Sequence, residues 1–277
     1  MKTVVMIGAG QMGRAAAALA SDQALHILAF GDNEATGQIY GIPVLPVAEA
    51  LRLQPDVVIL PLRGRDRMDD LERQARFLGY AGKILRLAGF LDILDIRKAA
   101  LVRLAERLDA VDGAIAELGV YKGEFAAVLN RLFPKRRLYL FDTFSGFDGK
   151  DLVTEQACRY STASVGDFSD TTAAAVLARL PRPQQAVVCK GYFPETANGL
   201  EERFALVSLD ADLYAPTLAG LEYFLPRLAA GGVIIVHDWA SQRFQGVARA
   251  VADYEKKHGR LFLVPLGDLH GTAVIAR

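Results

Sequence analysis

One pattern governs this chain. Short runs rich in Val, Ile and Leu alternate from end to end with longer Ala-, Leu- and Arg-rich segments of helical spacing. Apolar runs of four to eight residues read as buried strands, and apolar positions three or four apart read as helix. Strict alternation of the two implies a parallel sheet covered by helices on both faces. A first series predicts strands at Thr3–Ile7, His26–Phe30, Val57–Leu60 and Lys83–Leu87, with helices at Met12–Ser21, Val47–Leu53 and Arg67–Phe77. Asp92–Leu108 then reads as one long helix carrying Leu94, Ala100, Leu101, Leu104 and Leu108, a bridge between two domains. A second series predicts strands at Ala114–Leu118, Arg137–Phe141, Ala186–Cys189, Ala205–Leu209, Gly232–His237, Leu261–Pro265 and Thr272–Ala276. Only Leu266–Gly271 joins the last two, too short for a crossover, so they are expected to pair antiparallel as a terminal hairpin.

The length of 277 residues suits two such domains at about 150 residues each. Lys and Arg together number 32, as do Asp and Glu, so the formal charge is zero. Residues 1–100 hold twelve basic and eleven acidic side chains, so no basic half hides in the total. A domain that grips nucleic acid through phosphates needs a basic surplus, and that class is excluded. With 52% hydrophobic and 23% charged residues, disorder is excluded too. Cys158 and Cys189 show no CxxC spacing, which argues against a thiolate metal site or a disulfide framework. No leader pattern and no run of about 18 apolar residues is present, and the expectation is a cytoplasmic protein without a membrane span.

The N-terminal series carries Gly8-Ala9-Gly10-Gln11-Met12-Gly13, a GxGxxG placed after a strand and opening a helix. Glycine serves such a loop by allowing a tight bend, close approach of a phosphate, and close packing of helix on strand. The helix N-terminus offers free N–H groups to an anion. Asp32 ends the second strand about nineteen residues later, where an acid binds a ribose hydroxyl. Gly8, Gly10, Gly13 and Asp32 are therefore candidate nucleotide-binding residues. The alternative, glycines that only build the turn, stands beside that reading. The stretches Phe30–Glu34 and Gly41–Leu45 resemble N-terminal Rossmann-like domains attached to bacterial sugar-modifying enzymes. A dehydrogenase would need a catalytic group as well, and none is evident between Gly31 and Leu108. The charged run Arg63–Arg76 reads as a solvated helix face.

In the second series, Glu117-Leu118-Gly119-Val120-Tyr121-Lys122-Gly123 closes the first strand, and Asp142 closes the second. A glycine bend followed by an acid after strand two fits S-adenosylmethionine or a dinucleotide. The loop is not GxGxxG, which favours the former. Asp210 and Asp212 end the fourth strand, and His237 and Asp238 end the fifth. Neighbouring strand ends line one crevice in an open α/β sheet. Carboxylates gathered there repel one another, and a divalent cation on oxygen ligands supplies the missing charge. Helix capping by Asp212 or Asp238 is the plainer alternative.

From about Gly113 to Arg277 the sequence resembles the macrocin-type (TylF/MycF/NovP-like) sugar O-methyltransferases. The resemblance rests on Glu117–Gly123, Asp142–Gly146, Lys190–Thr196, Leu209–Tyr214, Ala215–Leu218, Pro226–Gly232 and Val236–Trp239, in that order. With the alternation above, the expected fold is α/β with two Rossmann-like, doubly wound sheets, the second ending in an antiparallel hairpin, and the resemblance makes that second sheet a class I methyltransferase sheet. The expected division is 1–90 for the nucleotide-binding-type domain, 91–111 for the linking helix and 112–277 for the methyltransferase domain. It further implies S-adenosylmethionine as methyl donor, magnesium, and a sugar hydroxyl as acceptor on a small molecule or glycan. Glu117, Gly119, Tyr121, Gly123 and Asp142 would face the cofactor, with Asp167 toward the adenine. Asp210 and Asp238 would ligate the metal and Asp212 would act as general base.

His237 departs from the family, which has an acid there. Imidazole suits zinc, manganese or iron better than magnesium. His237 is therefore a third candidate ligand, a hydrogen-bonding partner, or a second candidate base. Lys190, Tyr192 and His270 are further candidates for touching substrate. Methyl transfer is an in-line displacement needing the acceptor oxygen about 3 Å from the methyl carbon. The competing readings are an NAD(P)-dependent oxidoreductase or epimerase acting at Gly8–Gly13, and a methyltransferase whose N-terminal domain is a non-catalytic binding module. A homo-oligomer is compatible with each.

Overall fold

The computed structural model describes residues 1–62, 64–87, 95–268 and 270–277. Arg63, the expected helical start at 91–94, and Leu269 lie outside the described residues. The chain divides into two compact units, residues 1–95 with 267–269, and residues 96–266 with 270–277.

The first unit contains β1 (Lys2–Ile7), β2 (Leu25–Gly31), β3 (Gly37–Ile39), β4 (Ile42–Leu45), β5 (Val57–Leu60) and β6 (Lys83–Arg86), in the order β3-β4-β2-β1-β5-β6. Every pairing is parallel except the β3–β4 hairpin. Successive side chains of β1 point to opposite faces. Val4 and Met6 enter one core with Ala16 of α1 (Gln11–Leu19). Val5 and Ile7 enter the other with Val47, Ala50 and Leu51 of α2 (Val47–Arg52) and Ala75 of α3 (Arg65–Phe77). A strand buried on both faces reads as a continuous apolar run, as β1 and β5 do.

The glycine loop of this unit has a clear structural role. Gly13 packs so closely on the loop that an added Cβ would lie 1.9 Å from the Gly8 carbonyl oxygen. Gly10 faces open space. We expect Gly13→Ala to destabilise the protein by about 2 kcal/mol, as overpacking against backbone does, and Gly10→Ala by less than about 0.5 kcal/mol. Urea melts with hydrogen exchange at the β1 and β2 amides measure both. Equal effects would remove close packing as the reason for Gly13.

The second unit orders its strands β12-β13-β11-β10-β7-β8-β9. These are β7 (Ala114–Leu118), β8 (Leu138–Asp142), β9 (Ala186–Lys190), β10 (Phe204–Leu209), β11 (Leu228–Val236), β12 (Phe262–Pro265) and β13 (Ala273–Ala276). The expected terminal hairpin is present, with β13 antiparallel to both β12 and β11. One face of the sheet buries Ala114, Ala116 and Leu118 beneath Leu221 and Phe224 of α8 (Tyr214–Arg227) and Val247 and Val251 of α9 (Gln245–His258). The other buries Ile115 beneath Phe125 and Leu129 of α5 (Glu124–Leu132) and Val176 of α7 (Ala173–Arg179). The same face receives α4 (Ile96–Leu108), whose Leu101 and Leu108 are fully buried in that core. Over its described length this helix belongs to the second unit. The remaining helix, α6, spans Gly149–Cys158. Among the described residues no helix is long and apolar enough to cross a membrane.

Candidate active site

The carboxyl ends of β7, β8, β10 and β11 open on one side of the second sheet, at its topological switch point. Beyond β7 the chain turns sharply at Gly119, with φ +84°. A Cβ there would lie 2.0 Å from the Asp210 carbonyl oxygen. Tyr121 and Gly123 also take positive φ, 47° and 74°, as the loop wraps toward α5. Asp142 organises this loop. Its Oδ2 accepts from the N–H groups of Val120 (2.7 Å) and Tyr121 (2.9 Å), and its Oδ1 accepts from Phe144 N–H (2.6 Å). Glu117 is only 1% exposed, and its Oε2 is buried without a partner. Burial pushes its carboxyl well above the ordinary range; Arg97 pulls it down, while Asp210 and Asp142 add to the rise. An orphaned buried acid beside a cradle that a single Cβ would fill is the imprint of a ligand.

At the ends of β10 and β11 the structure brings together Asp210, Asp212, His237 and Asp238, with one ligand atom of each within 4.8 Å of the others. Asp212 and Asp238 hold left-handed backbone, φ 60° and 56°. Aspartate tolerates that conformation better than most side chains do, and it lets each carboxylate turn off its strand end toward the others. His237 Nδ1 lies between two carboxylates, 2.9 Å from Asp210 Oδ1 and 2.5 Å from Asp238 Oδ2. Burial lowers the His237 pKa, but the Asp210 charge and the bonds to both acids overcome it and bring it to about 10. Asp210 is held well below its usual range: burial opposes this, and the charges of His237 and Arg97 outweigh it. Asp212 is pushed well above its range by burial, then by the charges of Asp210 and Asp238. Three carboxylates and one imidazole so close together fit a divalent cation in donor type and number.

Residues 94–277 match the sequence profile of the macrocin O-methyltransferases (TylF), well over half of the chain. The chain belongs to this family. It is an S-adenosylmethionine-dependent O-methyltransferase. Two curated relatives agree. One is 8-demethyl-8-(2,3-dimethoxy-α-L-rhamnosyl)-tetracenomycin-C 4′-O-methyltransferase of Streptomyces olivaceus, 27% identical over 180 residues, 61% of this chain and 67% of that protein. The other is mycinamicin III 3″-O-methyltransferase of Micromonospora griseorubida, 27% identical over 166 residues, 54% of this chain and 63% of that protein. The chain thus spans about two thirds of each relative's length. Among solved structures, the calicheamicin methyltransferase CalS11 shares the fold at a TM-score of 0.56 and 21% identity, covering 78% of this chain and 94% of that one. The O-methyltransferase NovP does so at 0.54 and 19%, covering 66% and 79%.

Against the residues expected of such a methyltransferase, the structure gathers Glu117, Gly119, Tyr121 and Asp142 at one loop. Asp167 serves a turn, its Oδ2 accepting from Ser164 N–H at 3.1 Å. The next residue, Phe168, is edge-on to Tyr121 (5.0 Å) and Phe147 (5.2 Å), an aromatic wall that no motif announced. His270 stands against His237, ring centroids 5.0 Å apart. Tyr192 donates to Asp151 Oδ1 at 2.7 Å. Arg97 was not anticipated. Its Nη1 donates to Asp210 Oδ2 at 2.7 Å. In the first unit, Asp32 accepts from Ala9 N–H at 2.8 Å through Oδ2 and from Glu34 and Ala35 N–H at 3.0 Å through Oδ1. That is the arrangement of Asp142 on its own glycine loop, repeated.

Proposed function

We propose that the protein methylates a sugar hydroxyl, on a glycosylated natural product, nucleotide-sugar or glycan, with a divalent cation assisting. The observation that carries this is the cluster Asp210, Asp212, His237 and Asp238 at strand ends adjoining the Glu117–Gly123 loop. The rhamnosyl and mycinamicin acceptors in the relatives' names support the acceptor class. A bound cation would lower the pKa of an acceptor hydroxyl and orient it. Asp210 and Asp238 would hold that cation, and His237 between them fixes their spacing or adds a nitrogen ligand. Asp212, whose half-buried carboxyl has a raised proton affinity, takes the hydroxyl proton. Glu117, Gly119, Tyr121, Gly123 and Asp142 seat the methyl donor, and Asp167 with Phe168 borders its adenine. Magnesium is the first candidate ion, and the imidazole keeps manganese and zinc beside it.

The first unit is read as a nucleotide-binding module, on the strength of Gly8, Gly10, Gly13 and Asp32. Cysteine usage supports a cytoplasmic setting.

The test is a methyl-transfer assay with labelled S-adenosylmethionine on rhamnosylated acceptors. The protein is stripped with chelator, then supplied with magnesium, manganese or zinc. Label on a sugar oxygen, lost on stripping by at least about tenfold and restored by one ion, is the expected result. Full activity after stripping would remove the cation. Label only on aglycone oxygens would remove the sugar.

A further inference from the structure

The cofactor crevice is built mostly of acids, yet the methyl donor ends in an α-amino acid. That end is a zwitterion, and the strongest partners for it are an acceptor for the ammonium and a cationic donor for the carboxylate. Glu117, with its orphaned buried Oε2, meets the first need. Arg97 stands where the second would be met. It projects from the first turn of α4, and its guanidinium carbon lies 3.9 Å from the centroid of the Phe125 ring. Phe125 occupies the first turn of α5, directly after the Gly119–Gly123 loop. The other side of the guanidinium meets Asp210, whose backbone carbonyl abuts Gly119. Arg97 is thus bracketed by the two ends of the cofactor loop. Its side chain is 16% exposed, so it is largely shielded from bulk water while keeping some accessible surface. The neighbouring base Lys122 is committed elsewhere, 2.6 Å from Asp170 and more exposed.

We propose that Arg97 binds the carboxylate of the cofactor's amino-acid end, and that Asp210 is its resting partner until the cofactor arrives. Phe125 holds the guanidinium plane by cation–π contact, so one fork of donors swings between two carboxylates on a fixed base. The inference rests on S-adenosylmethionine as the donor, and it adds a residue from outside the sheet to the cofactor site.

Calorimetric titration with two probes separates the possibilities. S-Adenosylhomocysteine carries the amino-acid end; 5′-methylthioadenosine keeps the nucleoside and thioether and lacks it. Arg97→Gln should weaken S-adenosylhomocysteine about 10- to 100-fold, the usual weight of a charge-assisted hydrogen bond, and leave methylthioadenosine within about threefold. Arg97→Lys keeps the charge and loses the fork, so its loss should be intermediate and again confined to the first probe. That variant decides the matter if Arg97→Gln melts too low to titrate. Equal weakening of both probes would make Arg97 a structural prop, and no weakening of either would confine it to contacts within the protein; each overturns the proposal. Failure of the unmutated protein to bind either probe would overturn the donor itself, and the proposal with it.

Discussion

Asp212→Asn should lower turnover by about a thousandfold while leaving S-adenosylhomocysteine affinity within about threefold, because a general base contributes roughly 10²- to 10⁴-fold to rate and nothing to cofactor binding. Asparagine is the right replacement here. It keeps the size of the side chain and tolerates the left-handed backbone at φ 60°, so the turn after β10 survives. The effect comes from one lost capacity. Asp212 sits among Asp210 and Asp238, and their charges together with burial raise its affinity for a proton. Asparagine cannot take one. Rapid-quench single turnovers, paired with calorimetry on the same sample, measure both quantities. Collapse of cofactor affinity would reassign Asp212 to cofactor binding. Turnover above a tenth of normal would move the base elsewhere than Asp212, and His237, whose proton the same two acids hold, would first have to lose it.

How much of this was legible in the sequence depends on the range of the interaction. The alternation of strand and helix was readable because β1, β5, β7 and β10 are buried on both faces and so write uninterrupted apolar runs. The antiparallel β12–β13 end was readable from connection length alone. The β3–β4 hairpin was not. Its strands have three and four residues, and Pro43 interrupts the second. Pro43 is tolerated because β4 pairs with β2 only through Val44 and Leu45, beyond the proline. At the site, the carboxylates were readable because each closes a strand whose end the topology brings to one crevice. Arg97 was not, because its partner lies 113 residues away and its own helix shows only an ordinary amphipathic pattern. Phe168 escaped notice for the same reason: it sits in a loop, and only the folded sheet brings it to Tyr121. His270 was a candidate from its place between the last two strands, but its ring contact with His237 was not readable.

Gly119→Ala should prove the most damaging of the small substitutions, costing roughly 2–5 kcal/mol and abolishing cofactor binding. Two penalties add. A non-glycine residue at φ +84° costs about 1–2 kcal/mol, and forcing a methyl group against fixed atoms costs about 1–3 kcal/mol more. The atoms are fixed from both sides. The Gly119 N–H donates to the Phe141 carbonyl at 3.0 Å, and the Asp210 N–H donates to the Leu118 carbonyl at 2.8 Å, so β8 and β10 pin the turn. The new Cβ, 2.0 Å from the Asp210 oxygen, can only be relieved by parting β7 from β10 at their ends. That movement would separate Glu117 from the acid cluster. At about 2–4 °C per kcal/mol for a unit of this size, the melting temperature should fall by roughly 4–20 °C. Gly199 is the control. It also has positive φ, +76°, but a Cβ there meets nothing within 4 Å, so Gly199→Ala carries the strain without the clash. It should cost only about 1–2 kcal/mol and leave S-adenosylhomocysteine affinity unchanged. If the two variants melt alike and bind alike, the close approach of β10 is not what requires glycine at 119, and the cradle reading of the loop falls with it.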